Sequence, residues 1–152
     1  MALVVGAVVI VGAALVVVLR SVRRRLSADA ASMAAEVVGR GERLVRDPEP
    51  AVYGGGSGAF TRVKGNGTLV LTDRAVEFGK VTGPTVRVAR EDIASVARQR
   101  WFRGAATGGR THLVIRLKDG DEVGFFVQDV TAWAELLQAG PDSAAPQPRP
   151  SD

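Results

Sequence analysis

Residues 2–19, ALVVGAVVIVGAALVVVL, run for eighteen positions without a charged or strongly polar side chain. As an α-helix the run reaches roughly 27 Å, about the thickness of a bilayer's hydrocarbon core. A helix that is apolar on every side has no place on the surface of a small domain. The run therefore predicts a transmembrane helix. The competing reading is a cleaved signal peptide, because Ala28-Asp29-Ala30 resembles a small-residue cleavage site. The charge pattern favours the anchor: no Lys or Arg precedes the run, and Arg20, Arg23, Arg24 and Arg25 follow it. Positive residues mark the cytoplasmic flank, so the N-terminus is expected outside the plasma membrane and residues 20–152 inside. These four arginines are also candidate contacts for anionic phospholipid. Gly6 and Gly12 lack the GxxxG spacing of a helix-dimerisation face.

The net charge of +4 is unevenly spread. Residues 20–47 carry seven Arg against four acids, whereas 48–140 carry twelve Arg and Lys against ten acids. A globular part so close to neutral argues against a nucleic-acid partner. The chain has no cysteine, which excludes disulfides, thiolate catalysis and Cys-ligated zinc. Its one histidine, His112, lies opposite the apolar set of its own strand and is expected to face solvent or to be hydrogen-bonded.

Residues 20–47 are expected to be a basic juxtamembrane connector holding a short amphipathic helix. Leu26, Ala30, Met33, Val37 and Leu44 fall on one side at helical spacings. Pro48 and Pro50 are expected to end it. Residues 48–58, with GGGSG at 54–58, read as a flexible linker. A phosphate loop would need a helix after the glycines, and an extended segment follows instead.

From residue 59 the pattern is alternating. Asn66-Gly67 is the favoured two-residue hairpin dipeptide, so 59–64 is expected to pair with 68–72. Thr72-Asp73-Arg74 and Gly83-Pro84 are turn signals around the alternating pairs Val76/Phe78 and Val86/Val88. A turn over 91–96 is expected to drop Ile93 and Val96 into the core, with a strand over 98–102 after it. Leu113/Ile115/Leu117 and Val123/Phe125/Val127 predict two further strands around a turn at Asp119-Gly120. Asp129 is a good N-cap for a helix whose apolar face is Val130, Trp133, Leu136 and Leu137, stopped by Gly140-Pro141. The tail 141–152 is Pro-rich and expected to be disordered.

The ordered set Gly67, Leu69, Leu71, Thr72, Phe78, then Asp92-Ile93 and Val96, then Asp119-Gly120, Phe125/Phe126 and a Trp-bearing helix resembles the pleckstrin-homology-like superfold. It is most similar to GRAM and bacterial PH-like domains, over roughly 60–140. The resemblance implies a mainly β fold: an antiparallel β-sandwich or partly open barrel of about seven strands, capped by one C-terminal helix, over 59–140. It also implies a binding module. Well-studied lipid-binding members carry several Lys or Arg around the first hairpin; this chain has only Arg62 and Lys64 there.

No catalytic set emerges. The paired carboxylates Glu91/Asp92 and Asp121/Glu122 sit beside turns, where acids cap or are solvated. No cluster has metal-ligand spacing, and no nucleophile has a base partner. A non-enzyme without cofactor or metal is expected. The stretch 98–112, RQRWFRGAATGGRTH, stands out because it carries four arginines, two adjacent aromatics and no acid. Neighbouring strand residues point to opposite faces, so one of Trp101 and Phe102 is expected to be exposed. Arg98, Arg100, Trp101, Phe102, Arg103 and Arg110 are thus candidate contacts for a protein partner or anionic lipid. The expected function is a membrane-anchored cytoplasmic binding module. The alternative is a structural accessory subunit of a membrane complex, such as a transporter or envelope machine, with the anchor helix as its contact.

Overall fold

The computed structural model of the chain describes residues 28–103, 105–106 and 109–140. The expected transmembrane helix over 2–19, the arginines at 20 and 23–25, and the tail 141–152 lie outside them. Among the described residues no helix is long and apolar enough to cross a membrane.

The described chain is mainly β, an open antiparallel seven-stranded sheet with one C-terminal helix. The strands are β1 (Leu44–Gly56), β2 (Gly65–Thr72), β3 (Ala75–Lys80), β4 (Val86–Ala89), β5 (Ile93–Gln99), β6 (Trp101–Phe102), β7 (Ala105–Ala106), β8 (His112–Leu117) and β9 (Glu122–Phe126). Their order across the sheet is β4-β3-β2-β1-β9-β8-β5, and β6 and β7 pair in a separate hairpin. Helix α1 covers 28–39, and α2 is Val130–Gln138.

Strand β1 organises the sheet. Its residues 44–53 pair with β2 and its residues 52–56 with β9. The sheet curls across this strand. Phe78 of β3 therefore meets Phe125 of β9 with ring centroids 5.7 Å apart, and Tyr53 of β1 packs on both. The alternating residues of the sequence face this core: Leu69, Leu71, Val76, Leu113, Ile115 and Val123 are all buried. Trp133 and Leu137 of α2 seal it, with Ile93 and Val96 packed alongside. Asp129 caps α2 as expected, accepting hydrogen bonds from the amides of Thr131 and Ala132 at 3.1 and 2.9 Å.

Three expectations for the first half of the chain do not hold. Residues 48–58, expected as a linker, form most of the central strand. The prolines are tolerated because the first part of β1 pairs on one side only, with β2, and Pro48 falls in the register break between Arg46 and Glu49. The glycines serve a bulge between Tyr53 and Gly55, where Gly55 takes φ 104°. The segment 59–64, expected as a strand, is loop, and its start is tied to the sheet by Ser57 and Ala59. Ser57 donates its amide to the Glu122 carbonyl at 2.9 Å, and Ala59 donates to the Asp121 carboxylate at 3.1 Å. Asn66-Gly67 is no turn but part of β2, opposite Val52 and Ala51. Gly67 is required by close approach: a Cβ there would collide with the Gly79 carbonyl of β3 and lie 2.7 Å from Phe78 Cζ.

The connector also differs. Helix α1 ends well before the prolines, in a motif where Gly41 (φ 73°) donates to the Val38 carbonyl at 2.9 Å and Glu42 to that of Val37 at 3.2 Å. The helix is docked on the outer face of β2–β4. Val37 is buried, and Met33 covers Gly79. An ionic clamp fixes its end. Arg87 of β4 reaches Glu42 and Glu77 at 2.7 Å each, and Arg40 of the α1 terminus reaches Glu77 at 2.6 Å and Glu42 at 3.4 Å. Both carboxylates are buried, and Thr72 adds a hydroxyl donor to Glu42 at 2.7 Å. The turn expected over 91–96 is shorter: a 3-10 turn at Arg90–Asp92 leads straight into β5 at Ile93. Its buried Arg90 donates to the Leu136 carbonyl at 3.0 Å, near the end of α2, where a cation complements the helix dipole.

Candidate functional site

The β5–β8 connection places the singled-out aromatics on a small hairpin, with Trp101 opposite Ala106 and Phe102 opposite Ala105. The alternation expected of a strand separates them. Phe102 is 3% exposed and Trp101 63% exposed. Phe102 lies over Gly124 of β9, where an added Cβ would sit 2.5 Å from its ring. Only glycine at 124 admits that ring. The hairpin is thereby pinned to the outer face of the sheet, and Trp101 is held out in solvent. Arg103 at its tip adopts φ 46°, a left-handed conformation that costs an L-residue about 1–2 kcal/mol.

The candidate arginines do not act as one group. Arg100, Arg103 and Arg110 are exposed around the hairpin. Arg98 instead donates to the Thr131 hydroxyl at 3.0 Å, tying β5 to the start of α2. Arg103 also lies near enough to Tyr53 to favour its ionised form. Burial dominates there and pushes the Tyr53 hydroxyl up to about 12, while that hydroxyl donates to the Thr61 carbonyl at 2.7 Å. The four juxtamembrane arginines lie outside the described residues.

His112 is fully buried rather than facing solvent. Its ring is 3.8 Å from that of Phe126 and 5.8 Å from that of Phe102, centroid to centroid. Nδ1 lies 3.3 Å from the Gln99 carbonyl, which only a protonated Nδ1 can use. Nε2 is then a buried acceptor without a donor among the described residues. Burial lowers the basicity of His112. The Gln99 carbonyl opposes that shift and the nearby Lys64 charge adds to it. The alternation of β8 put His112 on the outer face. Phe126 beside it and the hairpin folding back over that face together cover it, and nothing in the sequence marks such a fold-back.

A groove of about 680 Å³ opens over β1 and its neighbours. Val52, Asn66 and Phe126 meet there by register, because Val52 of β1 pairs with both. Val81, Arg110 and Val130 complete its walls. This feature was missed in the sequence because its lining comes from five separate segments. Glu42, the carboxylate at the centre of the clamp, was missed likewise. Burial would push its carboxyl up. The hydrogen bonds from Thr72 and Arg87 and the charges of Arg87 and Arg40 outweigh that effect and hold it below the ordinary value of 4.5. Among the described residues no group of three or more His, Asp or Glu is arranged to hold a metal ion.

No family model matches the chain. No curated protein matches it either. Among solved structures the chain is similar to the C-terminal domain of an unknown protein from Leishmania infantum. That likeness has 14% identity and a TM-score of 0.45, over 79% of this chain and 95% of that one.

Proposed function

We propose that this chain is a membrane-anchored, non-enzymatic binding module of PH-like fold, held on the cytoplasmic side of the plasma membrane, that recognises a protein partner with help from anionic lipid. The observation that carries the reading is Trp101, exposed on a hairpin that Phe102 pins to the sheet, with Arg100 and Arg103 exposed beside it. A rigidly presented aromatic with a cationic surround is the composition of an interface anchor. The strand order β4-β3-β2-β1-β9-β8-β5 and the closing helix α2 support the PH-like reading. The apolar run over 2–19 and the arginines behind it support the anchor and its orientation. Tethering raises the effective concentration at the membrane, so weak contacts suffice.

The test is affinity purification of the tagged full chain from solubilised membranes. Trp101→Ala and the pair Arg100→Glu with Arg103→Glu should each remove most of the recovered partner while leaving the fold intact by circular dichroism. An unchanged partner set from both variants would sink the reading. A reporter fused after Asp152 reads the orientation, and activity on the outer side would overturn it.

The docking of α1 favours a second reading, an accessory subunit of a membrane complex. The helix that follows the expected anchor is clamped to the domain, so the two would act as one body. Replacing 1–19 with an unrelated apolar helix separates the readings: loss of function favours the subunit, and retention favours the module.

A further inference from the structure

We propose that His112 is an acid-operated latch for the β6–β7 hairpin: when its ring takes up a proton, the hairpin leaves the sheet and Trp101 loses its fixed presentation. What this does to a partner rests on the Trp101 reading above; the release itself does not. Neutral His112 directs Nδ1–H at the Gln99 carbonyl, 3.3 Å away, so an added proton goes to Nε2. Nε2 is buried and has no partner among the described residues. A proton there makes a charged donor in the same unpartnered place, the costly state for any buried polar group. The faces of Phe126 and Phe102 attract a cation, but more weakly than the water they exclude. The surrounding charges give no relief. Lys64, in the loop before β2, opposes a second positive charge. Arg100 and Arg103 of the hairpin and Arg110 before β8 have the same sign, and Arg98 of β5 turns to Thr131. Strands β5 and β8 carry no acid. On β9 Glu122 pairs with Arg116. On β1 Glu49 serves Trp133 and Arg46, Asp47 is exposed near the opposite end of the strand from Gly54, and Tyr53 faces the core.

The shell around the ring has one weak member. Gln99 and Phe126 belong to ladders of the sheet, opposite His112 and Val52. Gly54 of β1 backs the ring, and a Cβ there would lie 3.4 Å from His112 Cδ2. Phe102 alone belongs to a hairpin whose two strands pair only with each other. The seat of its ring over Gly124 holds that hairpin down. Water therefore reaches Nε2 at least cost by lifting the hairpin, not by parting the sheet. Trp101 adjoins Phe102 in the chain and moves with it. Burial keeps His112 neutral until the pH falls below the ordinary value of 6.5. The hairpin is thus seated at neutral pH and leaves as pH falls through the lower folded value. Loss of the proton restores the apolar seat, so the latch is reversible.

The chain has two tryptophans, so 5-fluorotryptophan gives one fluorine resonance on the hairpin, at Trp101, and one in the core, at Trp133. The test uses the full chain in phosphatidylcholine nanodiscs, titrated from pH 8 to pH 5. The Trp101 resonance should shift with the same midpoint as the nitrogen-15 titration of the His112 ring, while that of Trp133 stays. Lys64→Gln, at an exposed loop position, removes the opposing charge and should move both midpoints together to higher pH. His112→Phe should hold the Trp101 resonance constant. Four results would each overturn the latch: a Trp101 resonance that stays while His112 protonates, a His112 still neutral at pH 5, Trp101 and Trp133 moving together, or a transition that persists in His112→Phe. Partner capture is read separately. Recovery by the wild-type chain should fall about fivefold or more between pH 7.5 and pH 5, and His112→Phe should retain it. Full recovery at a pH where fluorine shows the hairpin released would overturn the Trp101 reading and leave the latch standing.

Discussion

His112 is the only histidine in the chain, so it alone titrates near neutral pH among the side chains. Its folded-state basicity is depressed below the ordinary value of 6.5, chiefly by burial. The unfolded chain therefore takes up the proton more readily. The stability contributed by neutral His112 is full above pH 6.5 and is lost as pH falls through the lower folded value. Urea midpoints measured from pH 8 to pH 5 should decline for the wild-type chain and stay nearly level for His112→Phe. Gly67 is the second residue whose role is steric. A methyl group there meets the Gly79 carbonyl of the neighbouring strand. Gly67→Ala should cost about 1–3 kcal/mol, typical of overpacking, with the loss read from the denaturation midpoint. Gly39, whose added Cβ would meet nothing within 4 Å, serves as the matched control.

At the scale of elements, the ionic clamp decides whether α1 stays on the sheet. Breaking a buried pair by removing one partner costs about 3–5 kcal/mol, because the remaining charge is left uncompensated. Glu77→Ala leaves both Arg40 and Arg87 paired with Glu42, and both arginines are partly exposed, so the cost should fall below that range. Hydrogen exchange should then show α1 amides opening while those of β8 and β9 stay protected. Acid should act the same way: Glu42 holds its charge below pH 4.5, and its contribution is lost as pH falls through its depressed folded value. Elements with strict alternation were legible in the sequence. Strands β3, β4, β8 and β9 and helix α2 with its Asp129 cap stand where period and capping put them. Strand β1 was not legible, because its two prolines and three glycines are ordinary loop chemistry. Its strand identity comes from β2 and β9 pairing along it, which no local pattern records. The Trp101/Phe102 split was readable from alternation alone. The groove and the burial of His112 were not, since both arise where distant segments meet.

For the whole molecule, α2 is the part that makes an open sheet into a closed core. Trp133 packs among residues from both halves of the sheet, and its indole N–H donates to Glu49 of β1 at 2.9 Å. Arg46 lies over its ring at 5.1 Å. Trp133→Ala should cost about 3–5 kcal/mol and lower the single thermal transition of the domain rather than split it, as calorimetry would read. The clamp on α1 has a mechanical consequence of its own. Only Arg40, Gly41, Glu42 and Arg43 separate α1 from β1, and Arg40 and Glu42 are themselves locked in the clamp. No swivel remains between the helix and the sheet. A twist applied upstream of α1 is passed on as torque, and Trp101 keeps a fixed bearing relative to that helix.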